Sequence, residues 1–168
     1  MYKRDRFGNS CHVSSRGLMF PSILVGIGVS ALVDEIIFHQ LLHWHHLYDR
    51  STRSAALTSD GVLTIICNAL LFSGLMLLWR RRADGIGSSR QTLVAGILIG
   101  FGGFNLFDGT IDHKLLRIHQ IREGVNNLLP YDITWISASA LILAVGLALW
   151  RRVAQQETRP GTRQQQSS

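Results

Sequence analysis

The chain has 168 residues, of which 46 % are apolar and only 17 % charged, with a formal net charge of +6. Soluble domains carry about a quarter charged residues, and here the deficit is concentrated in four runs that hold no charge at all. That pattern excludes a disordered chain, a disulfide scaffold and a coiled coil, and it argues against a soluble enzyme.

Residues 1–17 read as a basic tail carrying Lys3, Arg4, Arg6 and Arg16. The first uncharged run is Leu18 to Val33. A bilayer core of about 30 Å needs about 20 helical residues, so this run crosses only by continuing through Asp34 and Glu35. Both acids are therefore expected inside the hydrocarbon edge, with His39, His43, His45 and His46 following. The second run, Val62 to Trp79, nearly suffices alone and ends on Arg80, Arg81 and Arg82. The third, Thr92 to Phe107, is short again and must continue through Asp108 towards Asp112, His113 and His119. Asn126 to Asp132 reads as a loop leading into the fourth run, Ile133 to Trp150. Residues 153–168 read as a disordered polar tail. The expected fold is all-α, with four transmembrane helices over 18–152.

Aromatic rings favour the headgroup level. Trp79 and Trp150 close one end of the spans, and Trp44, Tyr48, Tyr131 and Trp135 mark the other. The N-terminal tail, the middle loop and the C-terminal tail hold twelve of the 17 Lys and Arg. By the positive-inside rule both termini face the cytoplasm. The net charge is then a topology signal and leaves no basic face for nucleic acid. Cys11 and Cys67 are too few for a disulfide framework and too scattered for a metal knuckle; Cys67 lies mid-span as a packing residue.

An internal repeat relates the first and third spans. Gly26, Gly28, Leu32, Asp34, His39, Leu41, Leu42 and His45 align without a gap on Gly100, Gly102, Leu106, Asp108, His113, Leu115, Leu116 and His119. Leu78-Trp79-Arg80-Arg81 likewise matches Leu149-Trp150-Arg151-Arg152. The chain is thus expected to be two parallel helical hairpins, about 18–82 and 92–152, related by an axis along the membrane normal. A basic start and the run Val29-Ser30-Ala31 mimic a cleavable signal, but cleavage would remove the mate of the third span. Gly26, Ser30 and Asp34 share one helix face, as do Gly96, Gly100 and Asp108. Small residues permit close approach of membrane helices, so the first and third spans form the expected central pair.

The buried polar groups are expected wholly in the outer half, which also holds six of the seven histidines. Ionisable groups at such depth need partners. Candidate ligands are Asp34, Glu35, His39, His43, His45, Asp108, Asp112, His113 and His119. Glu35, His39 and His43 fall on one face of an ideal helix. Asp34 and His39 lie about 140° apart on such a helix, so they can share one atom only if the helix distorts. Carboxylate plus imidazole suits zinc, iron, manganese or oxidised copper. Haem between His39 and His113 is disfavoured by the adjoining acids. Lys114, Arg117 and Arg122 are expected to balance nearby acids.

The segment Leu32-Val-Asp-Glu-Ile-Ile-Phe-His-Gln-Leu-Leu-His-Trp-His-His46, together with Gly103-Phe-Asn-Leu-Phe-Asp-Gly-Thr-Ile-Asp-His113, resembles a bacterial family of predicted four-span membrane proteins to which no activity is attached. The resemblance covers roughly Phe20 to Trp150. It implies residence in the bacterial cytoplasmic membrane and carries over no catalytic role. Three readings stand open: transition-metal binding for metal handling or a redox partner, a structural or assembly subunit whose polar groups only fix packing, and a proton or ion pathway. The lipid bilayer is the expected surrounding; a homodimer or a membrane-protein partner is compatible with so small a bundle.

Overall fold

A computed structural model describes residues 15–48, 50–81 and 90–158. Within them lie four long helices: α1 Ser15–Asp34, α2 Arg53–Arg81, α3 Arg90–Phe107 and α4 Leu129–Thr158. α1 runs on without a break into a π-helical segment, Glu35–Leu41, and α3 into another, Asp108–Leu115. Each helix is long and apolar enough to cross a membrane, and the first and third spans reach that length by including their acids: Gly17–Leu41 and Arg90–Leu115.

The strong packings are α1 with α3, α1 with α2 and α3 with α4. The apolar window of α1 is half buried against other helices, whereas those of α2 and α4 are 11 % buried. The repeated spans are thus the central pair, and the other two present most of their surface outward. Water is an unsuitable solvent for that surface, since Phe72, Leu75, Met76 and Trp79 stand exposed together on α2; lipid covers it without cost.

The α1–α3 seam is closed by backbone approach. A Cβ on Gly26 would strike the Ile97 carbonyl, and one on Gly100 would strike the Ile23 carbonyl. Those carbonyls belong to mates in the repeat, so the seam has two-fold character. The outer helices repeat it: Gly28 lies under Leu71 as Gly102 lies under Leu143, and Gly74 meets Val25 as Gly146 meets Ile99. These contacts pair Gly74 with Gly146, one residue out of step with the Trp79–Trp150 match of the sequence. The contact register also pairs Asp60 with Asp132, and buried Cys67 with buried Ser139.

Three expectations are corrected. Leu129 to Asp132 are the first turn of α4 and not loop, with Pro130 in the first turn, where its missing N–H costs nothing. α4 extends to Thr158, beyond the expected end at 152; 159–168 lie outside the described residues, as do Lys3, Arg4, Arg6, Cys11 and Arg82. Buried polar groups are not confined to the histidine-bearing half. Ser22, whose hydroxyl donates to the Leu18 carbonyl at 2.7 Å, and Thr92 are buried near the opposite ends of α1 and α3.

Candidate metal centre

The π-helical segments set the site. Bonding from residue i to i+5 brings side chains five apart onto one face. Asp34 and His39 then meet at 3.5 Å, and their mates Asp108 and His113 at 3.2 Å. Gln40 donates to Glu35 across the same interval at 2.9 Å. The distortion that an ideal helix would have required is therefore present twice. Each π segment closes alike: the Leu42 N–H reaches the Ile37 carbonyl, and the Leu116 N–H reaches that of Ile111, both at 2.8 Å. The next residues, His43 and Arg117, both hold positive φ, 51° and 50°. That bend reverses the chain and carries His45 and His119 back over the helix ends.

The two loops are then stitched crosswise. His45 Nδ1 lies 2.9 Å from the Ile121 carbonyl, and His119 Nδ1 lies 3.2 Å from the Leu47 carbonyl. A carbonyl only accepts, so each Nδ1 carries the proton and donates. That leaves His45 Nε2 as a bare lone pair, while His119 Nε2 faces His113. The Glu123 N–H also donates to the Trp44 carbonyl at 2.8 Å.

Four imidazoles gather as a result. The His39 and His45 rings are edge to face at 4.5 Å, as are those of His113 and His119 at 4.6 Å, while His45 and His119 stack at 4.6 Å. All four are at most 4 % exposed, and Asp34 and Asp108 are 6 % exposed. His113 Nε2 and His119 Nε2 face each other at 3.0 Å. Asp108 offers one oxygen 3.2 Å from His113 Nε2 and the other 3.8 Å from His119 Nε2. Ligand atoms about 2.1 Å from a tetrahedral cation stand about 3.4 Å apart, and this spacing matches. His45, His113 and His119 are close enough together to share one ion, as are Asp34, His39 and His45. His45 Nε2 and Asp108 Oδ2 are buried without a hydrogen-bond partner. Burial, with the neighbouring His39, His119 and His113, pushes His45 from 6.5 down to about 2, so its ring is neutral at physiological pH.

Not every sequence candidate joins this cluster. His43 is exposed at the bend, because the π segment and its positive φ break the face shared with Glu35 and His39. Asp112 is half-buried and lies outside the groupings that could hold an ion; Asp108 lies outside them too, but is buried against His113 and His119. Asp60 of α2 was not singled out as a ligand by sequence pattern, yet it is 1 % exposed and bonds three partners. It accepts from the Leu47 N–H at 2.8 Å and lies 3.1 Å from His39 Nδ1 and 2.6 Å from His46 Nδ1. Its place as the one acid within an apolar helix is the signal the sequence offers.

An aromatic wall flanks the centre on the α4 side. Phe38 packs on Trp44 and Trp135, and Trp44 on Tyr131. Lys114 pairs with Asp132 as expected. Arg122 instead lies over the Trp44 and Tyr131 rings and donates to the Tyr131 hydroxyl at 2.6 Å. The Arg50 guanidinium donates to the Arg117 carbonyl, linking the two loops.

Residues 21–153 match the family described as Predicted membrane protein (DUF2243), and the chain belongs to that family. No curated protein and no solved structure matches the chain.

Proposed function

We propose that this membrane protein binds a divalent transition-metal ion between its two π-helical segments, with His45, His113, His119 and Asp108 as ligands. One observation carries the reading: backbone carbonyls of the opposite repeat hold the Nδ1 protons of both His45 and His119 and so aim their Nε2 lone pairs inward. Ligating histidines are held by just such a hydrogen bond at the far nitrogen. Asp34 and Asp108 add acceptors to a buried space already short of donors, and a cation removes that deficit. Three imidazoles and a carboxylate suit zinc, iron(II), manganese or copper(II). The Lys and Arg distribution and the aromatic belts support cytoplasmic termini, with the centre beneath the outer headgroups of a bacterial cytoplasmic membrane. Metal handling or service to a redox partner is the role this position fits.

The test is elemental analysis of detergent-purified protein after equilibration with zinc and desalting. Wild type retains stoichiometric zinc, and His113→Ala and His119→Ala lose it while still eluting as folded protein. A folded wild type that holds no zinc refutes the proposal. A purely structural network is the second reading, favoured by the Asn105 side chain donating to Ser30 across the α1–α3 seam at 2.6 Å. It predicts no metal, and histidine variants that fail to fold.

A further inference from the structure

We propose that the cluster has a second cation position, formed by Glu35, His39 and Asp60, beside the first. The inference rests on the metal-binding reading and extends it from one ion to two.

Glu35 Oε2 lies 3.0 Å and Asp60 Oδ1 3.1 Å from the same nitrogen, His39 Nδ1. One ring nitrogen carries at most one proton, so it cannot satisfy both carboxylates. Asp60 has other donors, His46 and the Leu47 N–H. Glu35 Oε2 does not: it is buried without a hydrogen-bond partner, while the residue's other oxygen takes the Gln40 amide. Glu35 is 1 % exposed, so water does not rescue it from outside. These three residues stand within the spacing of ligands on one ion.

Charge points the same way. Asp34, Glu35 and Asp60 surround one imidazole. Even with both His39 and His46 doubly protonated, two positive charges face three carboxylates. Among the described residues no Lys or Arg pairs with these acids. Unpaired ionised groups at this depth are costly, and a divalent cation offsets them.

The repeat supplies the control. The mate of Glu35 is Gly109, seated under Trp135 with no room for a side chain. The mate of Asp60 is Asp132, already neutralised by Lys114, which stands where the first repeat has Gln40. The second hairpin therefore lacks a counterpart of Glu35 and pairs its counterpart of Asp60 with a lysine, so the additional position exists once. His39 Nε2 faces Asp34 while Nδ1 faces Glu35 and Asp60, and the ring packs against His45 of the first position. Two oxygens to one nitrogen suit a harder ion than the first position takes: manganese(II), iron(II) or zinc.

Zinc content per chain tests this. Wild type is expected to hold two ions, and Glu35→Gln and Asp60→Asn one each. A wild type that holds one zinc, matched by Glu35→Gln, overturns the second position and leaves the first intact. A folded wild type that holds no zinc overturns both readings.

Discussion

Gly26→Ala and Gly100→Ala test the seam on which the whole arrangement hangs. A Cβ built on Gly26 would stand 2.9 Å from the Phe101 nitrogen, and one on Gly100 would stand 2.9 Å from the Ile27 nitrogen; both meet carbonyls closer still. Carbon contacts are comfortable at about 3.5–4.0 Å. The obstacle is main chain, which cannot rotate aside, so α1 and α3 must separate by roughly an ångström. Overpacking of this kind costs about 1–3 kcal/mol. Ala recovers up to about 1 kcal/mol of helix propensity relative to Gly, which leaves a net loss of about 1–2 kcal/mol per substitution. Because the two glycines belong to one contact, the first substitution already opens the gap. The double variant should therefore lose less than the sum, by at least about 0.5 kcal/mol. Reversible unfolding in mixed micelles, followed by circular dichroism, measures all three. Gly61 of α2 is the internal control: nothing lies within 4 Å of its Cβ position, so Gly61→Ala should be neutral or stabilising. If Gly26→Ala behaves like Gly61→Ala, or the two seam losses simply add, α1 and α3 do not pack through these glycines.

Asn105→Ala removes the donor to Ser30 and should cost about 0.6 kcal/mol, at most about 1.7, the range measured for hydrogen bonds between membrane helices; the same unfolding assay should show Ser30→Ala costing nothing further in its background. Chelation should lower the apparent melting temperature, since an ion at a thousand times its Kd adds about 4 kcal/mol; equal melting curves with and without chelator under zinc-loading conditions would contradict bound metal. Acid should destabilise the apo protein. The His45 value in the fold, about 2, lies below its ordinary 6.5, so the unfolded chain binds the proton first. This stability is full above 6.5, falls between 6.5 and 2, and costs about 2 kcal/mol between pH 7 and pH 5. Apo melting temperatures across that interval check it, and His45→Gln should flatten the profile.

The four spans were legible because charge in hydrocarbon is expensive, so the absence of charge marks a crossing unambiguously. The inclusion of Asp34 and Asp108 in the spans followed from length alone. The central pairing of α1 and α3 was legible too, since Gly26 and Gly100 have no other use at helix interiors. The π-helical segments were not read, although their signal was printed twice. Asp34 to His39 and Asp108 to His113 share an interval of five, which an α-helix spreads apart and a π-helix brings together. Periodicity arguments assume one pitch and miss a local change. Asp60 escaped for another reason: its partners His39 and His46 come from a different helix and loop, and no spacing within α2 announces them. The crosswise bonds to Ile121 and Leu47 use backbone carbonyls, which leave no trace in side-chain pattern.

On the proposed metal-binding reading, those crosswise bonds give the duplication a role. His45 belongs to the first hairpin, yet the carbonyl that fixes its proton belongs to the second; His119 shows the converse. His45 also completes its ligand group with His113 and His119 from the other repeat. The proposed first position therefore needs both hairpins, since His45 comes from one and His113 and His119 from the other. Covalent linkage of the two copies raises their effective concentration and lets them diverge. The divergence falls where it bears on charge. The four histidines and two aspartates stay matched, while Glu35 against Gly109 and Gln40 against Lys114 do not. A two-fold pair of identical chains could not hold three acids in one repeat and, at the matching positions of the other, only Asp108 and the Lys114-paired Asp132, and this fused chain does.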